Sequence, residues 1–149
     1  MYTLEVNISN YKNFKYVTAD TASWDSSLAP DLFWPVIEAN ILMNKRLGKE
    51  VRKLVEHLYD DMLFAKTLLP FGLQTQFQGG MKSGWSCTAP DNSIIHSLLI
   101  ETFKALYSLE FIYVVYGDDL FIVHELMVFP ADLYTQFMAS FGLTTRYIH

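Results

Sequence analysis

An α+β fold, with helices packed on an antiparallel sheet, is predicted by three features of the sequence. Its 149 residues are 51% hydrophobic, enough to bury the core of one domain. Apolar residues recur at helical spacing in some stretches and form short strand-like runs in others. The elements run strand, helices, hairpin, helix, hairpin, helix, strand, with no repeat and no Pro/Gly/Ser-rich linker to divide them.

Each element has its own signal. FKYVTAD (14–20) reads as the first strand. Pro30 and Asp31 suit the first turn of a helix over DLFWPVIEANILMNKRL (31–47), where Pro35 kinks or delays the helix. KEVRKLVEHLYDDMLFA (49–65) carries an apolar stripe of Val51, Leu54, Val55, Leu58, Met62 and Leu63. KTLLPFGLQTQFQ (66–78) predicts a hairpin turning near Pro70 and Gly72. The loop QGGMKSG leads into a helix bearing Ile94, Ile95, Leu98, Leu99, Phe103 and Leu106. Pro90 is tolerated only in a first turn, so regular helix starts near Thr88. EFIYVVY and LFIVHEL form a hairpin around Gly117-Asp118-Asp119. PADLYTQFMASFG is a short helix with a glycine cap, and LTTRYI is the last strand.

Composition narrows the function classes. The apolar content excludes disorder, and no uncharged run reaches the roughly 18 residues of a membrane span. The N-terminus lacks the basic and apolar regions of a signal peptide, so the Asn7-Ile8-Ser9 glycosylation pattern carries little weight. Cys87 is the single cysteine, which rules out an internal disulfide and fits an intracellular setting. The net charge of −5 argues against a self-sufficient nucleic-acid binder.

The chemistry concentrates in YVVYGDDLFIV (113–123). Taken alone, Gly117-Asp118-Asp119 is a tight turn with a spare acid. FIYVVY is apolar at every position, which predicts a strand buried on both faces and a tip held at a fixed point. Adjacent carboxylates held rigidly suit a hard cation with oxygen ligands, Mg²⁺ or Mn²⁺. His57, Asp91, His96 and His124 show no zinc spacing. Asp20 ends the first strand and Asp25 follows five residues later; each alone reads equally as a cap or turn acid. If the first strand neighbours the second hairpin, Asp20 faces Asp118, and two ions can bridge them as in phosphoryl displacement. Asp20, Asp25, Asp118 and Asp119 are then expected to meet at one site. In GGMKSGWSCTAPDNS the glycines permit close backbone approach to a ligand, and Thr88 and Asn92 share a helix face.

Together these stretches resemble the palm subdomain of a viral RNA-dependent RNA polymerase, nearest in pattern to picornavirus-like enzymes. Asp20 and Asp25 match the first motif, Asp-x4-Asp. Gly79, Gly80, Ser83, Gly84, Thr88 and Asn92 match the second, Tyr116 to Asp119 the third, and SFGLTT the start of the fourth. The motifs stand in the ordinary order and span residues 20 to 145.

The resemblance implies a palm with an RRM/ferredoxin-like core that transfers a nucleotide from an NTP to an RNA 3′-hydroxyl. It implies two Mg²⁺ (or Mn²⁺) ions bound by Asp20 and Asp118, with Asp119 a weaker ligand. Asp25 and Asn92 would bond the ribose 2′-hydroxyl, Ser83 and Thr88 would support them, and Gly84 would let the loop flex. Partners would be RNA template and primer, NTPs, and the fingers and thumb, in a replication complex of the host cytoplasm. Residues 1–149 are expected to be a single palm fragment, inactive alone, because fingers, thumb and primer grip do not fit. Their absence also explains the acidic charge. The family's proton-donating lysine is not matched, and His149 is the substitute in reach. A reverse transcriptase is disfavoured by aspartate at position 25, where those enzymes carry an aromatic gate. A non-catalytic RRM-type module would need exposed aromatics and a basic face; Phe111 and Tyr113 could supply rings.

Overall fold

The computed structural model of the chain describes residues 13–43, 48–76, 78–82, 84–125 and 128–148. In chain order its elements are β1 (Lys15–Ala22), α1 (Trp24–Ser27), a 3-10 turn (Pro30–Phe33), α2 (Trp34–Met43) and α3 (Lys49–Leu63). Then come the hairpin β2 (Lys66–Leu68) and β3 (Gln74–Gln76), α4 (Thr88–Tyr107), β4 (Ile112–Tyr116), β5 (Asp119–His124), α5 (Ala131–Ala139) and β6 (Thr144–Ile148). The chain thus adopts the expected α+β arrangement, with helices against an antiparallel sheet.

The main sheet has four strands in the order β4-β5-β1-β6. β1 is central, paired antiparallel with β5 on one side and β6 on the other. Its side chains alternate, as a strand with one covered face must. Val17, Ala19 and Thr21 are buried, while Tyr16, Thr18 and Asp20 lie on the opposite, more open face. The covered face packs on α4 and α5, where Ile122 of β5 meets a core that includes Ile95, Phe103, Tyr134 and Met138. On the open face, the rings of Tyr16 and Phe121 stack with centroids 6.0 Å apart.

Both prolines act where helices tolerate them. The 3-10 turn from Pro30 delays α2 until Trp34, so Pro35 falls in its first turn; Pro90 is the third residue of α4. One element was not anticipated. Ser23 takes a left-handed φ of 53°, and the single turn α1 follows and drives Trp24 into the core.

Two expectations are corrected. FIYVVY is not buried on both faces: β4 is an edge strand, and Ile112 to Val115 are only half-buried. Of the hairpin's two strands, β5 is the one with a neighbour on each side, and its Leu120, Ile122 and Val123 are buried. The apolar stripe of α3 is buried only at its end, at Met62 and Leu63; Val55 is partly buried, whereas Val51, Leu54 and Leu58 are exposed. Periodicity records an apolar face but not whether anything lies on it.

Phe103 is fully buried and touches the rings of Tyr134 and Phe137, with centroids at 5.1 and 5.4 Å. Phe103→Ala should lower the free energy of unfolding by about 3–5 kcal/mol in urea titration. Phe71, 101% exposed, should tolerate the same change within about 0.5 kcal/mol. Equal effects at the two positions would contradict the placement of the core.

Candidate active site

The pairing of β1 with β5 runs from Lys15–His124 to Ala19–Leu120. One residue further, the strands carry Asp20 and Asp119 in adjacent positions on the open face. Both line one cavity of about 300 Å³ with Thr18, Val114, Tyr116 and Phe121. On its other side, Asp20 has Arg146 of β6 as cross-strand partner. β4 and β5 are joined by a two-residue turn, since Tyr116 already pairs with Asp119. Only the first turn residue, Gly117, has positive φ, 63°, which is the II′ pattern that favours glycine there. Asp118 is therefore the exposed turn tip, and Asp119 opens the next strand.

This placement modifies the expected site. Asp20 shares its cavity with Asp119, not Asp118. Among the described residues, no three His, Cys, Asp or Glu side chains gather closely enough to hold a metal ion as a set. The four aspartates therefore do not converge on one point as expected. The donor chemistry still fits a hard divalent ion. Mg²⁺ commonly takes one or two carboxylates and completes its shell with water and substrate phosphate.

Asp25 is held by a different partner. Asn92 Nδ2 donates to Asp25 Oδ1 at 2.7 Å, across 67 residues of sequence. An amide that turns its NH₂ to a carboxylate turns its oxygen away. Asn92 Oδ1 is buried and has no partner, although the residue is 4% exposed. The loop before α4 is anchored on the same segment: Gly80 N–H donates to Leu28 O at 2.8 Å and Met81 N–H to Asp25 O at 2.6 Å. A Cβ on Gly79 would stand 2.7 Å from Leu28 O, and one on Gly80 3.0 Å from Asp25 O. These glycines admit the chain's own backbone, not a ligand as the sequence suggested. Gly84 has nothing near its Cβ position, but its φ of 90° is one that L side chains rarely adopt. Thr88 Oγ1 donates to Trp85 O at 2.7 Å, closing the loop on itself. Ser83 and His149 lie outside the described residues.

Sequence reading missed the polar groups of α4 that face inward. Asp91 is buried and accepts hydrogen bonds from Tyr59 Oη at 2.8 Å and Trp85 Nε1 at 3.1 Å. Burial and the neighbouring Asp91 carboxylate raise the Tyr59 pKa, so this phenol stays a donor. Ser93 Oγ accepts the Gly117 N–H at 2.8 Å, and His96 Nδ1 lies 3.2 Å from Gly117 O. A carbonyl can only accept, so Nδ1 carries the proton and Nε2 faces the Tyr134 hydroxyl at 3.5 Å. Burial lowers the His96 pKa to about 4, against smaller opposing effects of Gly117 O and Asp118. The available signal was the i, i+3 spacing of Ser93 and His96 beside buried Ile95 and Leu99.

The chain belongs to the family described as viral RNA-dependent RNA polymerase, whose family model matches residues 5–146. The family is one of RNA-directed nucleotidyltransferases, so its partners are RNA, nucleoside triphosphates and the other parts of the polymerase. No helix among the described residues is long and apolar enough to cross a membrane.

A buried neutral histidine makes stability depend on pH. His96 titrates at about 4 when folded and near 6.5 when unfolded, so between these values the unfolded chain binds more protons. Its contribution is complete above about pH 6.5 and is lost as pH falls toward 4. The loss should be on the order of a few kcal/mol. Urea unfolding at pH 7 and pH 4.5 should show a smaller pH dependence for His96→Asn; equal slopes would refute this.

Proposed function

We propose that this chain forms the catalytic palm of its polymerase and joins a nucleoside triphosphate to the 3′-hydroxyl of RNA on an RNA template. The observation that carries this reading is the placement of Asp20 beside Asp119 at one opening on the sheet face. The Asp25–Asn92 pair lies just beyond the end of β1. The spacing of GGMKSGWSCTAPDNS and YGDD supports a picornavirus-like member.

Asp20, Asp118 and Asp119 would hold two Mg²⁺ or Mn²⁺ ions, which when bound neutralise triphosphate charge and acidify the attacking hydroxyl. The chain's own residues provide the rest. Asp20 and Asp119 create a local excess of negative charge that a cation relieves. Asp25, exposed at one edge and tied to Asn92 at the other, can accept a hydrogen bond from a ribose 2′-hydroxyl. Asn92 Oδ1, buried and unpartnered, is a second acceptor for it. Gly84 would let the loop flex, and Ser83 and Thr88 would support the ribose-binding network. With a net charge of −5, the chain leaves the cationic template channel to fingers and thumb, in a replication complex of the host cytoplasm.

The test is sugar selection in the polymerase that contains this palm. A site built for a hydroxyl leaves its polar groups unpaired when a deoxynucleotide binds, costing about 1–3 kcal/mol per group. Asp25→Ala or Asn92→Ala should reduce the ribonucleotide preference by roughly tenfold or more, mainly through slower ribonucleotide use. The measurement is incorporation efficiency for a ribonucleotide against its deoxy analogue. An unchanged ratio in both variants would remove these residues from the sugar site.

A further inference from the structure

We propose that Ser93 and His96 are positioning residues that hold the Gly117–Asp118 turn, and through it Asp119, beside Asp20 for metal binding. The proposal rests on the metal-site reading above. A two-residue turn commonly leaves the backbone groups of its first residue to water. Gly117 is instead buried, while Asp118 at the tip and Asp119 at the start of β5 are exposed. Both backbone groups of Gly117 are taken by α4, N–H by Ser93 Oγ and carbonyl by His96 Nδ1–H.

The clamp is itself fixed. Ser93 directs its hydroxyl proton to Ala89 O at 2.8 Å, which leaves its lone pairs for Gly117. His96 packs on the Trp24 ring with centroids 4.5 Å apart and meets the Tyr134 hydroxyl through Nε2. These contacts leave the imidazole one useful orientation. Asn92 precedes Ser93 and holds Asp25. Three residues within five positions of one helix, Asn92, Ser93 and His96, therefore tie both the residue proposed for the ribose and the turn proposed for the metal. Because α4 is continuous from Thr88 to Tyr107, the two cannot shift independently.

The experiment is Mn²⁺ titration of the 149-residue chain, read by paramagnetic broadening of the Asp119 amide signal, with hydrogen exchange of the Gly117 amide measured in parallel. Ser93→Ala removes the acceptor, and His96→Phe keeps a ring on Trp24 but removes the donor. His96→Asn restores a donor near the Nδ1 position. Ser93→Ala and His96→Phe should each weaken Mn²⁺ binding by roughly 3–10-fold, the range expected for one hydrogen bond. His96→Asn should recover most of that loss, which a purely space-filling role would not allow. Gly117 exchange should accelerate in Ser93→Ala, the mildest change should His96→Phe fail to fold. Asp20→Asn serves as the reference, since Asp20 lines the cavity with Asp119. If it abolishes binding while Ser93→Ala binds and exchanges like the unaltered chain, the clamp is overturned. If Asp20→Asn itself binds like the unaltered chain, the metal-site reading fails, and the clamp with it.

Discussion

Five cross-strand pairs between β1 and β5 determine where Asp20 and Asp119 stand. Strand side chains alternate with a period of two, so a slip of one residue would exchange the faces of β1. Val17, Ala19 and Thr21 would then leave the core, and Asp20 would enter it. The apolar core against α4 and α5 forbids that slip, because a buried unpaired carboxylate is costly. Burial on one face of the sheet thus fixes the position of an aspartate on the other. The same register brings Asp119 to the first place in β5, one step past the Ala19–Leu120 pair.

The helix α4 adds the second constraint. Its inward polar residues do not fill space in the core; they reach other segments. Asp91 gathers Tyr59 and Trp85, Asn92 gathers Asp25, and Ser93 and His96 gather Gly117. Each is a satisfied polar contact in a low-dielectric setting, which favours one arrangement over near alternatives. Asn92 Oδ1 is the departure from that rule: it is buried and has no hydrogen-bond partner.

Much of this was legible in the sequence. Short apolar runs and turn residues located the strands of the main sheet, and Pro90 located the start of α4, because these signals are local. The pairing of β1 with the second hairpin stood only as a condition in the sequence, and the register of β1 on β5 meets it. What was not legible depended on neighbours. FIYVVY looks central because it is apolar, but its place at the sheet edge is a property of strand order. Gly79 and Gly80 looked like ligand glycines, yet their close neighbours are Leu28 O, Pro30 and Asp25 O. His96 could not be separated from an ordinary core histidine without knowing that Gly117 lies opposite. Which aspartate of the pair would stand by Asp20 turned on a single residue of turn length.

The proposed cation site is formed by Asp20 and Asp119 on the open face. Crystals of the chain soaked in Mn²⁺, with diffraction recorded on the manganese absorption edge, address this directly. The account predicts an anomalous peak in contact with the carboxylates of both Asp20 and Asp119, with the Asn92–Asp25 hydrogen bond retained. Manganese bound elsewhere on the chain, with these two carboxylates free of it, would contradict it.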